Sequence, residues 1–475
     1  MSMTSMSFDF DILFRATPLR REDYRQFLAH SSSTSHAGHM SKPLMRIPYT
    51  QPLPPPLIIP ASAATRQGAV TSLARFLNPP IFSSASSSSS RLSENGNAPE
   101  TKKTKTVLLT GAGISVASGL ADYRGPNGTY TQNKSYRPIY YHEFVASHES
   151  RKRYWARSFL GWRGLHRSSP NATHYAIRDL GCLGVVDTVI TQNVDSFHPL
   201  AHPGLPQTIE LHGFLRSLVC LSCKQLMDRD TFQTRLAELN PAWATFLQEL
   251  LASGALDTED PLERRKRGFR TNPDGDADVP DAPYTTFRYP ACPSCLRRPP
   301  ILSDGSKGHV DVDKDGAWIL PRPSSSSSSS SSTSTNTSSS GVGVLKPNVI
   351  MFGESIPTSI KAAAERAIDS ASRILVVGSS LATYSAWRLV KRAHERGMGI
   401  GILNMGGVRK EEVFFGEYHP HLHPDPLEDG GAEADDHKGL SAMRRAVVRA
   451  SLPAEEILPA VVERIRQEER NKAQH

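Results

Sequence analysis

The residues best suited to chemistry in this chain begin with a glycine-rich turn. Residues 107–109 form an apolar run between threonines, and Gly111 and Gly113 follow it. Such a run predicts a buried parallel strand, and the glycines allow a tight turn that approaches a ligand closely. A helix starting at Ser115 would present free N–H groups to a phosphate. The stretch therefore predicts a Rossmann-type site for a pyrophosphate cofactor.

The spacing differs from that of an ordinary dinucleotide-binding dehydrogenase. The G-x-G-x-x-G pattern requires glycine at position 116, where Val116 stands, and the next glycine is Gly119. No acidic residue ends a second strand about 20 residues further on, where a ribose would be held. Residues 122–130 instead combine an acid, a base, aromatic residues and glycines, which suits a loop that folds over a bound cofactor. A tight turn in another kind of α/β protein is the alternative.

The cysteines form a pattern typical of a metal site. Four of the five stand in two C-x-x-C pairs, Cys220 with Cys223 and Cys292 with Cys295, which leaves Cys182 alone. Two such pairs predict a tetrahedral zinc site in a reducing compartment rather than a disulfide framework. Because four thiolates leave no open coordination position, we expect the zinc to be structural. The 68 residues between the pairs are tolerable, since loop closure costs little more as a loop lengthens.

Polar residues follow a second predicted strand. Residues 185–191 form another apolar run, and Gln-Asn-Val-Asp stands at 192–195. Ligands of doubly wound folds bind at the carboxyl ends of strands, so these side chains are candidates for the same site. A helix cap is the alternative function for Asp195. Further along, His212 can accept a proton near neutral pH, although a lone histidine is more often structural.

These stretches resemble, in the same order, the motifs of the sirtuins, which are NAD-dependent protein-lysine deacylases. The resemblance spans most of residues 106–406. It is carried by GAGISVASGLADYR at 111–124, QNVD at 192–195, ELHG at 210–213, the two cysteine pairs, FGE at 352–354, GSSL at 378–381 and Asn404. Within the family, RPI at 137–139 and RYWAR at 153–157 are most similar to the class II, mitochondrial type, here of a fungal kind with insertions.

The resemblance implies roles for individual residues. His212 would be the general base, with Asn193 beside it in the catalytic centre. An acyl-lysine channel would be lined by Val349, Phe352, Gly353 and Glu354. Contacts to NAD would come from Gly111, Ala112, Gly113, Ile114, Ser115, Asp122, Tyr123, Arg124 and Tyr130, from Gln192 and Asn193 at the ribose, Val194, and Asp195 at the nicotinamide carboxamide, and from Gly378, Ser379, Ser380, Asn404 at the adenosine ribose, Met405, Gly406 and, near the adenine, Ala454.

The implied reaction consumes NAD. The acyl oxygen of a modified lysine attacks C1′ of the nicotinamide ribose, nicotinamide leaves, and His212 acts as base on a ribose hydroxyl. Water then releases lysine and O-acyl-ADP-ribose. Two alternatives use the same pocket, namely mono-ADP-ribosylation of proteins and NAD sensing with weak catalysis. No Tyr-x-x-Arg pair stands directly after residues 122–130, so a desuccinylase arrangement is not evident at that position, while acetyl, lipoyl, biotinyl and branched acyl groups stay open.

Alternating strands and helices must position these residues. Helices are predicted over 61–77, 140–165 and 171–183, and one can start over 115–120. The second half predicts a helix over 358–370, a strand over 373–377, a helix over 382–396, and strands over 400–403 and 454–461. This alternation indicates an α/β fold, a Rossmann-like doubly wound parallel sheet with a smaller zinc-binding and helical domain.

Composition divides the chain into segments. We expect a disordered or targeting N-terminus (1–45), the first half of the large domain with a helical module (46–215), a zinc-binding module with low-complexity insertions (216–344), the second half of the large domain (345–465) and a tail (466–475). Charged or serine-rich residues predict a solvated excursion over 257–283 and insertions over 303–343 and 420–440.

Charge distribution bears on partners and location. The net charge is +8, but residues 1–105 alone hold 12 Lys/Arg and 6 Asp/Glu, so a nucleic-acid groove in the core is not indicated. No acid occurs over residues 24–93, as in transit peptides, which predicts the mitochondrial matrix and a start at Met40 or Met45. The alternative is a disordered N-terminal tail without a targeting signal, in a protein of the cytoplasm or nucleus. We expect acyl-lysine proteins as partners, no nucleic acid, no membrane and a monomer.

Overall fold

The computed structural model describes most of the chain between residues 52 and 474. The described residues are 52–79, 105–133, 136–204, 206–252, 270–271, 276–279, 282–302, 305–321, 341–416 and 446–474, all within the unit Ile47–His475. The predicted N-terminal segment 1–45, the serine run 322–340 and the insertion 420–440 lie outside them. No helix in the described ranges combines the length and the apolar character that a bilayer crossing needs.

Strands and helices alternate along the described chain. The strands are β1 (Thr106–Thr110), β2 (Val186–Thr191), β3 (Gln207–Glu210), β4 (Gly213–Cys220), β5 (Leu226–Asp228), β6 (Arg270–Thr271), β7 (Ala277–Asp278), β8 (Leu345–Val349), β9 (Arg373–Val377), β10 (Gly399–Leu403) and β11 (Val447–Ala450). The α-helices are α1 (Arg66–Leu77), α2 (Thr129–Gln132), α3 (Tyr141–Ala146), α4 (His148–Arg167), α5 (Ala172–Cys182), α6 (Phe197–Ala201), α7 (Arg229–Leu239), α8 (Pro241–Ala252), α9 (Pro293–Arg297), α10 (Thr358–Asp369), α11 (Tyr384–Glu395), α12 (Glu412–Phe415) and α13 (Ala454–Gln474).

The larger part, which we call the sheet domain, is built on a parallel sheet with the strand order β11-β10-β9-β1-β2-β3. Every residue of β1 is buried, as a central strand covered on both faces requires. Helices α1, α5 and α13 cover one face, and α10, α11 and α12 cover the other. The chain leaves β1 toward β2 and later returns to β9 on the opposite side, so the ends of β1 and β9 flank a topological switch point. The predicted doubly wound fold is confirmed.

The smaller part, which we call the cysteine module, comprises the described residues of 136–168 and 213–349. Its antiparallel sheet has the order β5-β4-β8. Helices α3, α4, α7 and α8 share one apolar core with this sheet and with the paired cysteines. Trp155, Phe159 and Trp162 on α4 are all buried, so these aromatic side chains pack in the interior.

Two predicted elements are wrong. The last strand is β11, and residues 454–461, predicted as a strand, begin helix α13, which also includes 466–474 of the predicted tail. Ile457, Val461 and Ile465 are buried at helical spacing, which a short apolar window does not distinguish from a strand. The helix expected from Ser115 is a 3₁₀-helix over Ala112–Ser118, which Gly119 ends in the left-handed region at φ 81°.

Parts of two segments predicted as excursions are folded. Ala277 and Trp318 are fully buried in the core of the cysteine module. The indole of Trp318 donates to the Val342 carbonyl at 2.9 Å and stacks on Tyr289 at 6.0 Å. The prediction for these segments rested on their largely polar composition. A few buried apolar residues are nevertheless enough to fold such a segment onto the core.

Candidate nucleotide site and metal centre

The glycine turn after β1 meets the turn after β9 at the switch point. The Gly113 N–H donates to the Gly378 carbonyl at 2.9 Å. A Cβ at Gly111 would lie 2.8 Å from Ser379 Cβ, and one at Gly113 would lie 2.9 Å from the Gly378 oxygen. Gly378 itself has φ +59°, a region that favours glycine. Only glycine therefore fits, and the backbone cradle suits the pyrophosphate of a dinucleotide.

Three polar side chains meet where β2 ends. The Ser115 hydroxyl donates to Asp195 Oδ2 at 2.8 Å, and the Asn193 amide donates to Ser115 Oγ at 3.1 Å. Asp195 Oδ1 accepts the N–H of Phe197 at 2.9 Å, so this carboxylate also caps α6. Burial raises the pKa of Asp195, while the bonds from Phe197 and Ser115 oppose that rise. The structure thus brings together residues predicted from separate motifs, and Asp195 also accepts the first amide of α6.

Gln192 joins the second strand end to the first and to β9. Its Nε2 donates to Ser379 Oγ at 2.7 Å and to the Thr110 carbonyl at 3.1 Å. Its Oε1 accepts the Thr383 hydroxyl at 2.9 Å. One side chain therefore fixes the spacing of the strand ends that form the floor of the site.

His212 lies at the same edge and is held through both ring nitrogens. Nδ1 is 3.1 Å from the Gln192 carbonyl oxygen, and Nε2 is 2.8 Å from Ser385 Oγ. Burial lowers the pKa of His212 to about 4, against the opposing effect of the Gln192 carbonyl. The ring is therefore neutral at pH 7. Because a carbonyl can only accept, Nδ1 carries the hydrogen, and Nε2, which accepts the Ser385 hydroxyl, is the atom that can take a proton.

Two residues that support this site were not predicted from the sequence. Ser385 holds His212, and the Asn171 amide donates to the Ile114 carbonyl at 2.8 Å and to Ser118 Oγ at 2.9 Å. Asn171 is the N-cap of α5, a signal that indicates a helix start but not a contact with the glycine turn. Ser385 stands in no motif and carries no signal of its own.

The loop at 122–130 is ordered by its own contacts. Asp122 Oδ2 accepts the Gly125 N–H at 2.9 Å, the rings of Tyr123 and Tyr130 stack at 5.8 Å, and the Arg124 guanidinium lies 5.0 Å from the Tyr130 ring centre. Burial raises the pKa of Asp122 and lowers that of Arg124. Such groups are well placed to exchange partners with a polar ligand.

The predicted acyl-lysine residues lie where β8 runs beside His212. The Ile350 N–H donates to the His212 carbonyl at 2.7 Å. Glu354 Oε2 accepts the Met351 N–H at 2.9 Å and the buried Lys346 ammonium at 2.9 Å, so it fixes the turn that carries Phe352 and Gly353. The partly exposed side chains beside this turn are apolar and pack on a small buried cluster; they are Leu120, Val194 and Val349 on Trp162, Leu165 and Leu215.

The far end of the site follows β10. Asn404 is buried, Met405 is 57% exposed, and the Gly406 N–H donates to Ser451 Oγ at 3.0 Å. The Ser380 carbonyl accepts the Arg409 N–H at 2.9 Å, which ties this loop to the turn after β9. Ala454 lies three residues beyond Ser451 and is buried in the sheet-domain core, where it packs at the start of α13.

The four paired cysteines form a compact set in the cysteine module. Cys220 Sγ is 3.5 Å from Cys295 Sγ, Cys223 Sγ is 3.7 Å from Cys292 Sγ, and all four sulfurs lie within 4.8 Å of one another. Zinc–sulfur bonds of about 2.3 Å place tetrahedral sulfurs about 3.8 Å apart, so the set fits zinc. Burial raises the pKa of Cys295 to about 12, so a cation is needed to hold thiolates there. The predicted structural zinc site is confirmed in its geometry.

A parallel sheet with a dinucleotide cradle at its switch point, a neutral histidine beside the cradle and a four-cysteine module define a nucleotide-using enzyme with a structural metal. Residues 111–385 match the Sir2 family, and the chain belongs to that family.

Relatives across fungi and plants are similar to this chain. The NAD-dependent protein deacylase SIR4 of Batrachochytrium dendrobatidis is 38% identical over 310 residues, which cover 65% of this chain and 83% of the relative. The NAD-dependent protein deacylase SRT2 of Arabidopsis thaliana is 32% identical over 313 residues, 66% of this chain and 69% of the relative. A solved structure of a Sir2 enzyme is 23% identical with a TM-score of 0.40, covering 77% of this chain and 94% of that one.

Proposed function

We propose that this chain is an NAD-dependent protein-lysine deacylase that releases nicotinamide and O-acyl-ADP-ribose from NAD and acyl-lysine proteins. Membership of the Sir2 family and relatives named as NAD-dependent protein deacylases support the proposal. The observation that carries it is the position of a neutral His212 beside Gln192, at the edge where Ser115, Asn193 and Asp195 meet.

Different residues along this edge of the sheet bind different parts of NAD. The backbone at Gly111, Gly113 and Gly378 receives the phosphates of NAD, whose ribose carbon supplies the electrophile. Asn193 and Asp195 hold the nicotinamide end, and their hydrogen bonds through Ser115 fix their orientation before the substrate arrives. Preorganisation of this kind lowers the cost of reaching the reactive geometry.

His212 is the proton acceptor. Its lowered pKa, about 4, keeps the ring in the basic form over the whole physiological range. The Gln192 carbonyl fixes the tautomer, so Nε2 takes the proton from a ribose hydroxyl. The Ser385 hydroxyl holds Nε2 in the free enzyme and keeps the ring turned toward the site.

The acyl group is uncharged. Leu120, Val194 and Val349 present apolar, partly exposed surface beside the turn after β8, backed by buried Trp162 and Leu165. A carboxylate-bearing acyl chain would lose its hydration on this apolar surface. Acetyl, branched, lipoyl and biotinyl chains all fit this chemistry.

The test offers NAD with lysine peptides that carry each of these acyl groups, and with a succinyl peptide as the charged comparison. We expect nicotinamide to appear only when an uncharged acyl-peptide is present, together with free lysine peptide. His212→Tyr should keep NAD binding and lose at least about 100-fold in turnover. His309→Tyr, at an exposed histidine of the cysteine module, is the matched control.

Other outcomes contradict the proposal in distinct ways. Label transferred from NAD to a protein side chain would indicate mono-ADP-ribosylation. Tight NAD binding with no nicotinamide release would indicate a sensor. Wild-type turnover by His212→Tyr would remove His212 from the catalytic centre.

We also propose that the protein is a class II, mitochondrial-type sirtuin of fungal kind, resident in the matrix as a monomer and without nucleic-acid or membrane partners. The motifs at 137–139 and 153–157 and the acid-free segment 24–93 support this assignment. N-terminal sequencing of the native protein from purified mitochondria tests the proposed matrix location. An unprocessed chain found in the cytosol would contradict that location. Light scattering tests the monomer.

A further inference from the structure

A fully buried ion pair underlies the loop that follows β10. Arg449 Nε donates to Glu411 Oε1 at 2.5 Å, and their side chains are 0% and 1% exposed. The terminal nitrogens of Arg449 donate to backbone carbonyl oxygens. Nη1 donates to Asn404 at 3.1 Å and to Ala450 at 2.6 Å, and Nη2 donates to Gly406 at 2.6 Å. The guanidinium therefore fixes the backbone of the segment predicted to meet the adenosine ribose.

The same carboxylate also binds an N-terminal segment. We call residues 52–60 the N-terminal arm and residues 404–411 the β10 loop. The Leu57 N–H donates to Glu411 Oε1 at 3.3 Å, while Oε2 accepts the Val408 N–H at 3.1 Å. Ile59 exchanges two backbone hydrogen bonds with Arg449, at 2.9 and 2.7 Å. One buried charge pair thus joins the arm, β11 and the β10 loop.

The arm also touches the loop directly. A Cβ placed on Gly407 would lie 1.8 Å from the Pro54 carbonyl oxygen and 3.3 Å from Leu53 Cβ. The two backbones are in contact here, so the arm limits where the loop can go. On its other side the loop is tied to Ser380 through the Arg409 N–H. The arm and the turn after β9 therefore hold the β10 loop between them.

We propose that the N-terminal arm is part of the NAD site, because it holds the β10 loop, through Glu411 and Arg449, in the conformation that receives the adenosine end of NAD. Glu411 and Arg449 are positioning residues, since neither faces the cradle itself. The inference rests on the proposed function for the identity of the ligand. It implies that N-terminal processing leaves residues 52–60 in place, because a cut beyond them would weaken NAD binding.

The first experiment forces the arm and the β10 loop apart without substituting Glu411 or Arg449. Gly407→Ala adds a methyl group that collides with Pro54, whereas Gly204→Ala adds one that meets nothing within 4 Å. In the full-length chain we expect Gly407→Ala to raise the KM for NAD about tenfold. The kcat at saturating NAD and the KM for acyl-peptide should stay within about twofold of wild type, because the chemistry and the acyl side are untouched. Gly204→Ala should change none of them.

The second experiment uses the wild-type chain and hydrogen exchange. Because binding coupling is reciprocal, NAD should slow exchange of the Leu57 and Ile59 amides, which are the arm's donors to Glu411 and Arg449. Gly407→Ala should accelerate that exchange without NAD. Exchange in the arm that is unchanged by saturating NAD would overturn the inference, as would a detached arm with an unchanged KM for NAD. A wild-type chain that releases no nicotinamide would refute the proposed function instead.

Discussion

The sheet domain and the cysteine module bury charge in very different amounts. Among the described residues, the buried basic side chains of the module are Arg151, Arg157, Arg229 and Lys346, whereas the sheet domain buries Arg449. The sheet domain instead has continuous apolar layers on both faces of its sheet. The module therefore adds specific polar contacts to its own apolar core, whereas the sheet domain is stabilised mainly by apolar area.

The buried arginines of the module have different kinds of partner. Arg151 donates to the Tyr289 hydroxyl at 2.8 Å and lies 4.7 Å from the Trp318 ring centre. Arg229 lies 4.6 Å from the Trp162 ring centre, and burial lowers its pKa to about 10. Burial also disfavours the charge of Arg157, but the Asp276 carboxylate at 2.7 Å raises its pKa above the ordinary value.

Because of this difference, we expect NAD binding and folding stability to depend on different parts of the molecule. A parallel sheet holds its strand ends rigidly, so the residues that follow those ends can form a site without metal or ion pairs. A small module that buries several charges needs a metal and partners for those charges to stay folded. Perturbations of the module should therefore cost stability first, and perturbations of the strand ends should cost NAD binding first.

Loss of zinc should have the largest effect. Chelation, or Cys292→Ser, removes an ion whose binding contributes about 10–16 kcal/mol in comparable small sites, so the module should unfold. Four of the five tryptophans lie in the module, and Trp387 lies on α11, so the fluorescence change reports mainly on the module. Cys182→Ser, outside the set, is the control. A fully folded module without metal would contradict the comparison.

Removal of the carboxylates beside Arg157 should have the next largest effect. Asp276→Asn with Asp278→Asn leaves a buried guanidinium without its counter-charges, and we expect a loss of about 3–5 kcal/mol in the free energy of unfolding of the module. Denaturant titration followed by tryptophan fluorescence measures it. Glu238→Gln, in an exposed pair with Arg235, should cost under about 1 kcal/mol. Equal losses would show that burial does not distinguish the two pairs.

Crowding at the glycine cradle should lower NAD affinity while leaving the module intact. In Gly111→Ala the new methyl group lies 2.8 Å from Ser379 Cβ, so the two turns must separate. We expect the KM for NAD to rise about 10- to 100-fold, or about 1.4–2.7 kcal/mol. Gly164→Ala, on α4 with nothing within 4 Å, is the matched control in the module. An unchanged KM would mean that the turns do not form the NAD site.

Acid should destabilise the sheet domain through three buried histidines near the carboxyl end of β1. Thr110 Oγ1 is 2.9 Å from His198 Nε2, His198 Nδ1 is 2.9 Å from His202 Nε2, and the His174 ring lies 5.1 Å from that of His198. Burial lowers the pKa of each, to about 3 for His174, and nearby Arg178 lowers that of His202 further. The stabilisation is therefore complete above about pH 6.5 and is lost as the pH falls toward the folded pKa.

The variant His198→Gln isolates one of these groups. Below pH 6.5 the unfolded chain binds a proton that the folded His198 does not, a difference of about 1.4 kcal/mol at pH 5.5. The difference between the unfolding free energies of wild type and variant should therefore be smaller at pH 5.5 than at pH 7.5, by about 1.4 kcal/mol. His309→Gln, at an exposed histidine, should leave the pH slope unchanged. A variant with the wild-type slope would exclude His198 from the acid response.

The sequence by itself determined the elements and the kind of chemistry. Apolar runs bounded by threonine or glycine located β1, β2, β9 and β10 within a residue, because a strand buried on both faces needs apolar residues throughout. The cysteine spacing predicted the metal centre because ligand geometry allows few alternatives. The apolar run in 454–461 led to the wrong prediction of a strand, because buried helices and strands share that composition over short windows.

Only the tertiary structure decided which distant residues complete the site. Ser385 stands 173 positions from His212, and Leu57 stands 354 positions from Glu411, yet each pair is within hydrogen-bond distance. No spacing or periodicity encodes such pairs, because they arise where separate strand ends and loops converge at one edge of the sheet. The pairing of Arg157 with Asp276 is likewise not encoded by spacing. Each charge needs the other only because packing has removed both side chains from water.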